Sequence, residues 1–202
     1  MKLDNLSVLQ IPFFDESECK EIIKYADEKE KYFIEKNLDV EVPIFYTKNQ
    51  VTSANYTKYN FFKDNPKYIE RLLRCLKEVL PWLTYPISLQ SWVNIYRTGE
   101  GIGWHNHNGL DEHSYTANIF LGGVTKPGVD YTVPGQADFT IENTIGEMLL
   151  SNCYMWHKVA PNESDISRYS IGMAIHTYEA LTKNLLSDSC FNSSSQGVIL
   201  LN

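Results

Sequence analysis

His105 and His107 are separated by a single residue, Asn106. Side chains of an extended strand alternate, so both imidazoles fall on one face and can converge on a single ion. A third imidazole, His157, opens a later β-rich run after the glycine-led stretch Gly146-Glu147-Met148-Leu149-Leu150. A rolled sheet would bring it alongside the pair, and three imidazoles would then meet one ion. Further on, Arg168 is followed by Ser170 on the same strand face. An arginine on an otherwise apolar inward face needs an anionic partner. A dicarboxylate supplies one: the guanidinium grips a carboxylate bidentately and the serine hydroxyl adds a third hydrogen bond. A structural salt bridge is the competing explanation for Arg168. His113 and His176 stand alone and read as satisfied core or surface histidines.

These residues lie in a segment with β texture. Short runs rich in β formers cover 89–96, 116–121, 138–141, 147–150, 157–159 and 168–176. Gly122-Gly123, Pro127-Gly128, Pro134-Gly135 and Gly146 punctuate them at intervals typical of an all-β barrel or sandwich. Before this segment, Leu6 to Ile11 reads as a strand stopped by Pro12, and Asp15 with Glu18 forms a capping box opening a helix. Its apolar stripe is Cys19, Ile22, Ile23 and Ala26, and the charged run Asp27 to Lys31 falls on the solvent side. A second helix is capped by Asn65 and has Pro66 at its first position. Ile69, Leu72, Leu73, Leu76, Val79 and Leu80 repeat along it until Pro81. The implied architecture is α+β, mainly β: two N-terminal helices backing a β-roll. Residues 32–62 are irregular and aromatic-rich, and read equally as a lid over a site or as a loop packed on a helix.

With 202 residues the chain fits one domain, assigned to 1–180, followed by an extension at 181–202 to which the sequence assigns no role. The net charge of −7 makes nucleic acid a poor partner, and Lys20, Lys24, Arg71 and Arg74 read as solvated helix faces. Of the thirteen tyrosines and nine phenylalanines some fill the core, and a surplus around a pocket would suit an organic substrate. Cys19, Cys75, Cys153 and Cys190 are isolated, which implies free thiols in a reducing, cytoplasmic setting. No apolar run approaches the roughly 18 residues of a membrane span. Oligomeric state is left open.

The ordered set of motifs resembles the 2-oxoglutarate/Fe(II)-dependent oxygenase superfamily, in its prolyl-hydroxylase-like branch. That family places an H-x-D/E pair after a tyrosine-containing strand and a glycine-rich turn, then a distal histidine, then R-x-S. Here the elements read Tyr96-Arg97-Thr98-Gly99-Glu100-Gly101-Ile102-Gly103-Trp104-His105, then Gly146 through His157, then Arg168-Tyr169-Ser170. The resemblance covers most of the chain, since Leu6 to Tyr25 also looks like the strand and helix that introduce the fold. It implies a double-stranded β-helix, or jelly roll, with His105 and His157 as metal ligands. It places Arg168 and Ser170 on the distal carboxylate of 2-oxoglutarate and Tyr96 against that co-substrate. Asn94 joins Tyr96 in an N-x-Y pair like that of the nucleobase-repair demethylases, a strand-end cap being its alternative role. Trp104 is assigned to the pocket wall and Trp92 to the core. The implied cofactors are iron(II), 2-oxoglutarate and dioxygen. The implied reaction is hydroxylation of a small-molecule or peptidyl substrate, with a peptidyl side chain or amino acid the first guess, releasing succinate and carbon dioxide.

His107 departs from the pattern, because it occupies the position of the expected carboxylate. Either His107 itself ligates, or Asp111 or Glu112 swings in from the following turn, or the position is open. A bacterial and phage-associated branch with a similar H-x-H favours His107. A cupin-type metal protein competes, because His105, His107, Glu112 and His157 resemble the first cupin motif, although Arg168, Ser170 and a displaced glycine speak against it. A non-enzymatic β-roll binding module is the remaining class. The run Gly99-Glu100-Gly101-Ile102-Gly103 opens no helix, which excludes a dinucleotide fingerprint.

Overall fold

A computed structural model describes residues 7–37, 51–52, 59–107, 114–126, 128–133, 135–177 and 199–202. Strand β1 (Val8–Pro12) leads to helix α1 (Glu16–Asn37). The capping box forms: the Glu18 N–H donates to Asp15 Oδ1 at 2.8 Å and the Asp15 N–H donates to Glu18 Oε2 at 3.1 Å. Glu18 has a second duty, since Arg71 grips its carboxylate with both terminal nitrogens at 2.6 and 2.8 Å and also donates to the Phe13 carbonyl. Arg71 is therefore a packed strut between two helical segments, not a solvated charge as its sequence context suggested. The charged run of α1 is likewise partly engaged. Asp27 accepts from the Tyr169 hydroxyl at 2.7 Å, and Glu30 pairs with Arg97.

The expected second helix forms but starts as a 3-10 turn, and a separate short helix precedes it. Asn60 caps a short helix α2 (Phe61–Asp64), its side-chain oxygen accepting from the backbone of Phe62 and Lys63. A 3-10 turn over Pro66–Tyr68 follows and runs into α3 (Ile69–Val79). Asn65 makes no side-chain cap, because its amide donates back to the Phe61 carbonyl. Leu72 and Leu76 of α3 are fully buried, each removing apolar surface worth roughly 2 kcal/mol from water. The aromatic segment read equally as a lid or a packed loop is not irregular at its ends: Tyr32 to Asn37 continue α1, Phe61 and Phe62 open α2, and Phe33, Tyr59, Phe61 and Phe62 are core residues. Its stretches 38–50 and 53–58 lie outside the described residues.

The β region forms two antiparallel sheets. The seven-stranded sheet runs β1, β8 (Glu147–Asn152), β5 (Tyr115–Gly122), β10 (Arg168–Thr177), β3 (Ile87–Tyr96), β11 (Ile199–Leu201), with β2 (Val51–Thr52) also on β3. The four-stranded sheet runs β4 (Ile102–His105), β9 (Trp156–Val159), β6 (Val129–Thr132), β7 (Phe139–Ile141). This is the mainly β, jelly-roll architecture implied by the sequence. Strand β6 was not anticipated, although its alternating V-D-Y-T between Pro127-Gly128 and Pro134-Gly135 is a strand signal. Strand β11, drawn from the unassigned tail, pairs with Ile87 to Leu89. No helix among the described residues is long and apolar enough to cross a membrane. Cys19, Cys75 and Cys153 are free thiols.

The large sheet is covered on both faces. Val93, Ile95, Ile119, Leu121, Met148, Leu150, Ile171, Met173 and Ile175 pack with the helices. The alternate positions face the small sheet, where Tyr96 and Leu149 join Ile102, Val129, Tyr131, Val133, Met155 and Val159 in a second cluster. Gly146 anchors the entry to α1: its carbonyl accepts from both Phe13 and Phe14 at 2.9 Å. Its φ is +78°, and an added Cβ would lie 2.0 Å from the Phe14 carbonyl oxygen. Gly135 has a similar φ of +81° with open space around it. Gly135→Ala should therefore cost about 1–2 kcal/mol from the left-handed backbone alone. Gly146→Ala should cost about 3 kcal/mol or more, and equal losses in urea denaturation would contradict this account of the close approach.

Candidate metal centre

His105 and His157 are direct partners across the β4–β9 ladder, and their ring centroids are 4.3 Å apart. Strand β4 ends at His105, so His107 does not share a strand with it as expected. It lies two residues beyond the strand end, its N–H donating to the Cys153 carbonyl at 3.0 Å. Its ring stacks on His157 at 5.2 Å. One ligand atom from each of the three imidazoles lies within 4.8 Å of the other two. Donors about 2.0–2.2 Å from one ion stand at most about twice that apart, so small ring movements close the triad on a metal. Asp111 and Glu112, the alternative third ligands, lie outside the described residues, as does His113.

Two of the rings are pre-set. His105 Nδ1 is 2.8 Å from the Gly103 carbonyl and His157 Nδ1 is 3.0 Å from the Met155 carbonyl. A carbonyl only accepts, so each Nδ1 carries the proton and each Nε2 presents a lone pair, the outer-sphere arrangement of metal-ligating histidines. Burial, reinforced by the neighbouring His157, depresses the His105 pKa to about 3. Burial holds His107 well below the usual value, with His157 and His105 adding to it, and burial also lowers His157. All three are neutral near pH 7, and the donor set suits iron, cobalt, nickel, copper or zinc.

Facing the triad is the inner surface of the large sheet, whose register sets the pocket in rows. Tyr96 pairs with Arg168, and Asn94 with Ser170. Trp92 pairs with Gly172, which pairs with Asn118, which pairs with Leu149. Trp92, Asn94, Tyr96, Asn118 and Tyr131 line one pocket together with the three histidines. Arg168 is 2% exposed, its guanidinium 5.9 Å from the Tyr96 ring and 5.8 Å from the Phe120 ring. It donates to Asn143 Oδ1 at 3.3 Å. Burial pulls its pKa down, with Tyr96 opposing that shift. Ser170 is also buried.

The tryptophan assignments reverse. Trp92 lines the pocket, because Gly172 opposite it has no side chain: a Cβ there would lie 2.5 Å from the indole. Trp104 is not among the pocket-lining residues, and Lys158 sits 4.7 Å from its ring centroid. A register irregularity between Ile102 and His105 turns those two residues inward and leaves Trp104 outside. Sequence reasoning also missed Tyr131, whose ring is 5.9 Å from His157 and which is paired with it across the β6–β9 ladder. Asn118 was missed as well, having no motif to mark it. His176 is fully buried in the large sheet, with its Nδ1 2.9 Å from Ser114 Oγ.

Comparison with solved structures places this geometry in context. A prolyl-4-hydroxylase from Pseudomonas putida superimposes with a TM-score of 0.58 at 11% identity, over 84% of this chain and 92% of that one. HygX from Streptomyces hygroscopicus, solved with nickel and 2-oxoglutarate bound, gives 0.59 at 12%, over 85% and 83%. SnoK, a non-haem alpha-ketoglutarate-dependent carbocyclase from nogalamycin biosynthesis, gives 0.62 at 14%, over 96% and 92%. The chain shares their fold. No family model and no curated protein matches its sequence. The shared fold carries hydroxylation and ring closure alike in these neighbours, so it does not by itself select a reaction.

The three depressed histidines make the metal-free protein acid-sensitive. In the unfolded chain each titrates near pH 6.5, so below that pH the unfolded state binds more protons and stability falls. The loss should extend from about pH 6.5 toward 3, at up to about 1.4 kcal/mol per pH unit for each histidine. Urea midpoints of metal-free protein should drop between pH 7.5 and pH 5, and less steeply in His107→Gln. Identical slopes for the two proteins would show that His107 is not held neutral by the fold.

Proposed function

We propose that this chain is a non-haem iron(II), 2-oxoglutarate-dependent oxygenase that hydroxylates a small-molecule or peptidyl substrate. The observation that carries the proposal is the meeting of three neutral imidazoles within 4.8 Å in a jelly roll, opposite a sheet face that carries a buried Arg168 and Ser170. His105, His107 and His157 are assigned as metal ligands. The Gly103 and Met155 carbonyls hold two of the rings in the ligating tautomer. Arg168 and Ser170 are assigned to the distal carboxylate of 2-oxoglutarate, with Tyr96 and Asn94 along its path.

The physical case for Arg168 is its setting. Its guanidinium, which stays charged in proteins, is buried beside the Tyr96 and Phe120 rings and donates to Asn143 Oδ1, and the planar fork of an arginine matches a carboxylate bidentately. A dicarboxylate bound there is oriented along the inner face toward the histidines. A bound iron(II) and keto acid together supply dioxygen activation with release of succinate and carbon dioxide. The protein's own residues position and shield. Trp92, laid over Gly172, and Tyr131, beside His157, wall the pocket and exclude water. Asn94, Thr116, Asn118 and Ser151 supply uncharged polar groups to the pocket lining, which does not itself include Arg168 or Ser170.

Anaerobic calorimetry with iron(II) and then 2-oxoglutarate tests the assignment in two parts. His105→Ala and His157→Ala should each lose metal binding. Arg168→Leu should keep the metal and lose roughly 2 kcal/mol or more of 2-oxoglutarate affinity, about thirtyfold. Unchanged 2-oxoglutarate binding in Arg168→Leu would refute the co-substrate assignment. Succinate release across a panel of candidate substrates would then identify the reaction.

A further inference from the structure

The proposed metal site has a charge deficit at the position of His107. Histidine ligates as the neutral imidazole, so three histidines leave a divalent ion with both its charges, where two histidines and a carboxylate leave one. The pocket's described lining contains no Asp or Glu. Among the described residues, Asp130 is engaged with Thr140 and Lys158, and Glu100 with the Arg97 N–H at 2.8 Å. Charge buried in a low-dielectric pocket is costly unless it is paired. A second observation points to the missing partner. The side-chain nitrogen of Asn118, which lines the same pocket, is buried and has no hydrogen-bond partner among the described residues. A buried donor left this way favours a ligand that accepts.

We infer that His107 makes metal retention anion-dependent: the three histidines hold a divalent cation firmly only when a small exogenous anion, of the halide, azide or carboxylate class, binds beside it. The inference rests on the proposed three-histidine site and adds to it a ligand that the protein itself does not provide. The amide of Asn118 donates to that anion, and the anion restores the charge balance that a carboxylate at position 107 would have set.

Cobalt(II) perchlorate is titrated into the metal-free full-length chain in chloride-free buffer, with and without excess azide. Equilibrium dialysis reports affinity and the cobalt d–d bands report coordination. Azide should raise the cobalt affinity of the wild type by about tenfold or more, the usual scale of coupling between two sites, and should change the d–d spectrum. His107→Gln, which stays neutral, should keep the azide dependence. His107→Asp, which carries the charge itself, should bind cobalt with less than about a threefold response. Circular dichroism verifies folding of each variant, and the wild-type titration is decisive by itself if His107→Asp does not fold. Cobalt binding that is tight and indifferent to azide would overturn this inference and leave the metal site standing. Absence of cobalt binding under both conditions would overturn the site and the inference together. If the indifferent wild type becomes azide-dependent in Asp111→Asn/Glu112→Gln, the carboxylate comes from that turn and the inference also fails.

Discussion

The large sheet is covered on both faces, and the period-two alternation of its strands divides its residues between a helix-packed face and an inner face that carries the pocket. On β3, Val93 and Ile95 join the helices while Trp92, Asn94 and Tyr96 face inward. On β10, Ile171, Met173 and Ile175 pack outward, leaving Arg168, Ser170 and Gly172 in register with the inward residues of β3. A slip of one residue would send the pocket's polar groups into the helix-packed core. The same alternation that builds the core therefore sets the position of the candidate site, and the two cannot vary independently.

The triad depends on a second pairing, in the small sheet. His105 and His157 are apposed by the β4–β9 ladder, and each is oriented by a carbonyl two residues earlier in its own chain. Such pre-orientation removes rotamer freedom before any ion arrives. His107 is held differently, by its backbone N–H and by ring contacts with His157 and Trp92. Its position beyond the strand end is also where the chain departs from the carboxylate-bearing pattern it resembles. Rigid scaffold and chemical variation thus meet at adjacent residues.

The solved structures that share this fold include a hydroxylase and a carbocyclase. A fold common to different activities leaves their selection to the residues of the site. Here the pocket wall is built from Trp92, admitted by Gly172, and from Tyr131 and Asn118. None of these four residues belongs to the motifs that carry the resemblance.

Local physics was legible in the sequence. The Asp15–Glu18 capping box, the apolar stripes of α1 and α3 and the main strands of the large sheet depend on neighbours within a few positions, and all appear close to where the pattern put them. Motif order also brought His105, His107, His157, Arg168 and Ser170 forward as a set, and the roll gathers the three histidines into one pocket whose lining does not include the two β10 residues. What tertiary structure decided was every choice between locally equivalent options. Asn60 caps α2 with its oxygen held by Ser91 and its amide donating to the Leu89 carbonyl, whereas Asn65, which the pattern offered as a cap, turns its amide back to the Phe61 carbonyl. Trp92 enters the pocket and Trp104 leaves it, because a glycine across one ladder makes room and a register irregularity in the other turns the chain. Both outcomes depend on residues distant in sequence, and no pattern within a single strand encodes what its partner strand places opposite it.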